Sequence, residues 1–185
     1  MQSSHSNNGG AATATASSNS VEFVLTQATT TEQFCSAVAK IFAVRQTEVA
    51  LLRLEKALLR FIYPAELKTA GSIPVSSSTA IAAHTATTKK SEIYNSFAKV
   101  KHASIFETVK LAANEASEVQ PQEEQPSIQK LMSAPIISPE NRVVGVLQVS
   151  RKGFSLTSAG PDFSQGDMKQ LELACKIAGT LPFMK

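Results

Sequence analysis

The chain has 185 residues, of which 43% are hydrophobic, 18% charged and 6% aromatic, with a formal net charge of +3. That length suits one domain of ordinary size with a tail to spare, since domains cluster at about 100–150 residues. The composition excludes collagen, a coiled coil and a disulfide scaffold. The apolar runs fall far short of the roughly 20 residues a membrane span needs, and no Lys/Arg block interleaves with aromatics to grip nucleic acid.

Residues 1–20 hold no Leu, Ile, Val or Phe and no charged side chain. Such a stretch cannot bury enough apolar area to offset the entropy of ordering it, so a disordered tail is expected. It lacks the basic start and apolar core of a secretory signal and the Arg of a mitochondrial presequence, which points to a cytoplasmic protein. A helix is predicted over residues 21–44 with a break near Thr30, because Thr30 and Gln33 have capping-box spacing. Phe34, Val38, Ile41 and Phe42 then recur at three and four. The period changes at Glu48–Leu54 (EVALLRL) and Leu58–Tyr63 (LLRFIY), two strand-like runs three residues apart, which predicts a hairpin with Arg53 and Arg60 on a solvated face. Pro64 ends the second strand.

Ser72 to Val75 reads as extended. Ser76, Ser77 and Ser78 offer an N-cap for a small helix over Thr79 to Ala86. A polar turn through Lys89 and Lys90 leads to the short apolar stretch Glu92-Ile93-Tyr94, and Phe97 to Val109 is weakly periodic. Residues 112–127 are rich in Glu and Gln and read as a flexible acidic loop. The strand pattern resumes over Lys130–Ile137, turns at Ser138–Asn141 and continues in RVVGVLQVS, Arg142 to Ser150. Ser164 with Asp167 caps a last helix whose seam runs through Met168, Leu171, Cys175 and Ala178, widened by Ala174, Ile177 and Leu181. Helices at both ends of a set of hairpins predict an α+β domain. Cys35 and Cys175 stand alone in helical segments and read as small core residues.

Four of these stretches resemble the GAF domain, a small-molecule sensing module related to PAS domains. Phe34 to Ile41 with EVALLRL resembles its opening helix and first strand. Ile73-Pro74-Val75 and the serine run resemble the turn into its pocket helix. Ala134-Pro135-Ile136 with VVGVLQVS resembles its most recognisable hairpin, and Phe163 to Asp167 its closing helix. The resemblance covers residues 21–183 as a single domain. It implies a central antiparallel sheet with the terminal helices on one face. On the other face, short helices and loops would enclose a pocket. The pocket positions it implies are Ile73, Ser77, Ser78, Thr79, Ile81, His84, Ile93, Tyr94, Phe106, Leu131 and Ser133. No cysteine lies between residues 36 and 174 for thiol chemistry there, and no output domain fits in the chain. The expected role is therefore a non-catalytic regulatory module that binds an unidentified small molecule, a separate effector protein, or both, with the cofactor unknown. A small reductase or hydrolase, or a degenerate domain serving only dimerisation, stands as the alternative.

Other clusters have simpler readings beside the sharp ones. His84 and His102 could hold haem or a metal, but isolated histidines without ligand spacing argue for no metal site. Lys89, Lys90, Lys99 and Lys101 could rim a pocket or simply be solvated. Asp162, Asp167 and Glu172 fit helix-start charge better than paired acid–base carboxylates. The last helix carries more apolar surface than one sheet face needs. A twofold homodimer through Phe34, Val38, Ala174, Ile177, Ala178 and Leu181 is therefore expected.

Overall fold

The computed structural model describes residues 21–97 and 126–185. The expected tail (1–20), the weakly periodic stretch beyond Phe97, all but the last two residues of the expected loop at 112–127, and the residues Lys99, Lys101, His102 and Phe106 lie outside the described residues. In chain order come helix α1 (21–26), helix α2 (Thr31–Ile41), strands β1 (Val49–Glu55), β2 (Leu58–Tyr63) and β3 (Ser72–Pro74), helix α3 (Ile81–Thr88), strands β4 (Glu92–Tyr94), β5 (Ser127–Ile137) and β6 (Val143–Gly153), and helix α4 (Gln165–Ala178). The strands form one sheet in the order β3-β2-β1-β6-β5-β4, every neighbour antiparallel.

Local chemistry sets the boundaries. The Thr30 hydroxyl accepts from the Gln33 amide and starts α2 afresh after α1, satisfying one of the amides a helix start leaves unpaired. Ser164 and Asp167 form a reciprocal capping box at α4. The α3 start differs from expectation. Its N-cap is Ala80, with no side-chain bond, so the serine run lies before the helix instead of capping it. Lys89, left-handed at φ 57°, closes α3 and turns the chain towards β4.

The sheet is buried on both faces. One face packs against α1, α2, α4 and the C-terminal residues. Phe34, Leu51, Met132, Ile136, Leu147 and Leu171 are among its buried members. Burying one such side chain contributes about 1.5–3 kcal/mol, so this layer is the main source of stability. The other face packs against α3, through Ala50, Leu52, Leu59, Phe61, Ile81, Ala83, Leu131 and Val146. Gly145 of β6 lies so close to β1 that a Cβ there would meet the Leu52 carbonyl oxygen at 2.2 Å.

Two expectations are corrected here. Arg53 and Arg60 do not mark a solvated face, since β1 and β2 carry core residues on both sides. The two arginines sit at the hairpin end, both paired with Glu55. The six side chains assigned to a dimer interface, Phe34, Val38, Ala174, Ile177, Ala178 and Leu181, are all buried inside the protomer. The wide seam of α4 is consumed by the sheet on one side and by neighbouring helices and the C-terminal residues on the other. No helix among the described residues is long and apolar enough to cross a membrane.

Candidate functional site

Register decides which side chains meet. Cross-strand partners point to the same face of a sheet, and neighbours along a strand to opposite faces. One transverse row runs Ile93, Met132, Val149, Val49. All four lie in or against the helical-layer core. The next row runs Glu92, Ser133, Gln148, Ala50 and faces α3. Beyond it lie Tyr94, Leu131 and Ser150. A polar row therefore crosses a face lined mainly by Leu, Ile, Phe, Ala and Val.

The middle of that row is a closed chain of hydrogen bonds. Thr85 of α3 donates to the Ile81 carbonyl at 2.9 Å, and its oxygen lies 2.7 Å from the Ser133 hydroxyl. A hydroxyl has one proton to give, so Ser133 donates to Thr85. Ser133 in turn accepts from Gln148 Nε2 at 3.2 Å. The chain thus runs Gln148 to Ser133 to Thr85 to the α3 backbone. Thr85 and Ser133 are fully buried and Gln148 nearly so. Buried polar groups are costly unless partnered, and here the partnering fixes α3 against β5.

The outer end of the row is different. The Tyr94 phenol donates to Glu92 Oε2 at 2.7 Å, and His84 Nε2 of α3 stands 3.5 Å from that same oxygen. Burial first, and the adjoining Glu92 carboxylate second, push the Tyr94 phenol well above its usual range, so it stays a proton donor. His84 is 52% exposed and Glu92 32%. The corner between α3 and the edge strand β4 therefore combines a carboxylate, an imidazole and a phenol within reach of solvent.

Of the residues expected at a pocket, Ile73, Ile81, Tyr94 and Leu131 pack in or against the apolar cluster under α3. Ser133 is at the centre of the polar row, and His84 is at its outer end. Ile93 is a correction. It lies on the helical-layer face, because it and Tyr94 are successive residues of one strand and cannot share a face. Ser78 and Thr79 are exposed and Ser77 is half-buried in the approach to α3. Phe106 lies outside the described residues. Glu92, Thr85 and Gln148 were not singled out from sequence. The sequence signal for Gln148 was a lone polar residue inside the apolar run VVGVLQVS.

Both cysteines lie in the helical-layer core, on the far side of the sheet from α3. Burial pushes each thiol pKa up, and a nearby glutamate adds to the effect, Glu32 for Cys35 and Glu172 for Cys175. They are protonated and shielded at neutral pH. No group of three or more His, Cys, Asp or Glu side chains gathers for a metal ion among the described residues.

No family model and no curated protein sequence matches the chain. Solved structures do. The GAF domain of a phosphoenolpyruvate-protein phosphotransferase from Acinetobacter superposes with a TM-score of 0.60 at 14% identity, covering 94% of this chain and 92% of that one. Free methionine-R-sulfoxide reductase from Neisseria meningitidis, in complex with its substrate, gives 0.56 at 15% identity, with 97% and 92% covered. Part of a methyl-accepting chemotaxis protein gives 0.54 at 12% identity, with 86% and 93% covered. The reductase overturns the expectation that this chain is not an enzyme. The same fold carries catalysis as well as sensing, so a non-enzymatic role does not follow from it. The likeness extends over nearly the whole chain in each case, and the six-stranded antiparallel sheet with its two covered faces is that of GAF domains: the chain has the GAF fold.

Proposed function

We propose that the chain is a regulatory module that binds a small molecule on the α3 side of its sheet and passes occupancy to a partner protein. The polar row carries this reading. Ligand sites are mostly apolar surfaces with a few placed polar groups. The α3 face has that make-up, with hydroxyl and amide groups at the centre and a carboxylate, an imidazole and a phenol at the edge. The apolar part comes from Ile73, Ile81, Tyr94 and Leu131. The likeness in fold to part of a methyl-accepting chemotaxis protein supports the same reading. Native mass spectrometry of the full chain, purified from its own host, tests it. The expected result is a non-covalent adduct lost on denaturation and diminished by Leu131→Trp, which crowds this face. A bare protein that also fails to respond to a metabolite panel in thermal-shift assays overturns it.

Catalysis at the same corner is a second reading, favoured by the contact of the Glu92 carboxylate with a phenol and an imidazole. Such an enzyme would draw on these acid–base groups, because neither thiol reaches this face. Chemical conversion of the retained adduct on incubation, abolished by Glu92→Gln, distinguishes it from sensing.

A further inference from the structure

We propose that the α3–β4 corner binds an organic cation with N–H donors, of the guanidinium or primary-ammonium class. The inference rests on the small-molecule reading above and assigns the chemical class of the ligand. The argument is an inventory of what the corner has left to offer. Tyr94 has given its one proton to Glu92 Oε2. The His84 Nε2 atom faces that same oxygen at 3.5 Å. A carboxylate only accepts, so a neutral imidazole in this position keeps its proton on Nε2 and leaves a lone pair on Nδ1. The donors are thus directed inward. The groups still open are acceptors, namely Glu92 Oε1 and His84 Nδ1, neither of which receives a hydrogen bond from a described residue. The carboxylate adds a formal negative charge.

An anion would meet that charge with no donor left on Glu92, His84 or Tyr94 to pair with. A neutral acceptor would fare no better. A planar cation with two N–H groups, or an ammonium with three, satisfies both acceptors and the charge together. The half-buried Tyr94 ring packs against the apolar cluster under α3, beside the carboxylate. The apolar residues behind it, Leu131 and Ile81, suit an aliphatic stem on the ligand.

The closing experiment uses the full chain and three probes: methylguanidinium, the neutral and similarly shaped methylurea, and inorganic phosphate. Binding is followed by NMR through the ring C–H signals of His84 and Tyr94. Methylguanidinium is expected to shift both rings saturably, at least tenfold more tightly than methylurea. Glu92→Gln is expected to weaken it at least tenfold, and Glu66→Gln, at an exposed site elsewhere, to leave it unchanged. Equal response to methylurea, or an undiminished response in Glu92→Gln, overturns the cation. So does saturable binding of phosphate, which would assign the corner to an anion held by the exposed Lys89 and Lys90. The host-purified protein separates this inference from the broader reading. A retained ligand that is neutral or anionic, and indifferent to Glu92→Gln, overturns the cation while the regulatory module stands. A bare protein that ignores all three probes and the metabolite panel overturns both.

Discussion

The two faces of the sheet are built on different rules. The helical-layer face is filled by large apolar side chains from three helices; its middle row of Ile93, Met132, Val149 and Val49 is apolar, and its charged residues, Arg53 and the cross-strand pair Lys130 and Arg151, stand in outer rows. The α3 face meets a short helix rich in alanine, and one of its rows is polar, ending at a solvent-reachable carboxylate. Polar atoms weaken a core unless every one is paired. The uncharged hydrogen-bonded row and the solvent-reachable carboxylate lie on the α3 side, so the proposed binding chemistry is placed opposite the larger apolar layer.

The sharpest way to break that division is to put a charge in the helical layer. Ile177 is 6% exposed and packs in this core. Ile177→Glu is expected to cost about 3–5 kcal/mol, the range for an uncompensated buried charge, read as a lowered urea midpoint. Leu171→Ala, at a fully buried position, should cost about 2–5 kcal/mol without altering methylguanidinium binding. A fully stable Ile177→Glu protein with altered mass in light scattering would return this residue to an intermolecular surface.

On the α3 face, Ser133→Ala removes the middle of the hydrogen-bonded chain, strands the Gln148 amide and takes a donor from Thr85, which keeps its bond to Ile81. The expected loss is about 1–3 kcal/mol, the desolvation cost of unpaired buried groups. Combined with Thr85→Val it should lose less than the sum of the two single changes, because the partners are shared. Strict additivity in urea denaturation would mean that the two hydroxyls do not bond.

Much of this was legible in the sequence, and the failures have a common cause. The β1–β2 hairpin and β6 fall almost where the apolar runs placed them, because strands buried on both faces announce themselves by density. The restart at Thr30 was readable because the cap is a local interaction. Ile93 was misplaced because a three-residue strand carries too little alternation to say which side chain faces which layer. That is fixed only by its register against Met132. The dimer seam failed for a related reason. The breadth of the apolar stripe on α4 was read correctly, but sequence does not reveal that α2 and the C-terminal Met184 occupy the same core in the same protomer. Thr85 and Gln148 were invisible as a pair because their shared partner, Ser133, is 48 residues from one and 15 from the other.

A smaller effect separates the faces by pH. The pKa values of Cys35 and Cys175, both in the helical layer, are raised by burial above the usual thiol value of 9.0. Above that value the unfolded chain loses thiol protons that the folded chain keeps, so the unfolded state binds fewer protons and stability falls as pH rises. Below it both states are protonated and the thiols make no pH-dependent contribution. The Cys35→Ala/Cys175→Ala variant should therefore have a shallower alkaline decline than the parent in urea midpoints taken upward from pH 9. In the folded parent, neither thiol should react with a disulfide reagent at neutral pH. An identical alkaline slope in the two proteins would assign the decline to other groups, among them Tyr63 and Tyr94, whose pKa values are also raised.

The smallest expected change in stability belongs to the residue with the most to say about the site. His84 is 52% exposed and its contact with Glu92 is 3.5 Å long, so His84→Gln should shift the folding free energy by about 0–1 kcal/mol, as for surface pairs generally. The same substitution removes the Nδ1 acceptor and should weaken methylguanidinium several-fold, less than Glu92→Gln does, because the formal charge remains. The order of effects on stability, Ile177 above Ser133 above His84, would then be reversed for binding, with His84 above Ser133 and Ile177 lowest among the variants that still fold. A stability loss at His84 as large as that at Ser133 would mean that the corner belongs to the core. The polar row would then be a structural brace along its whole length.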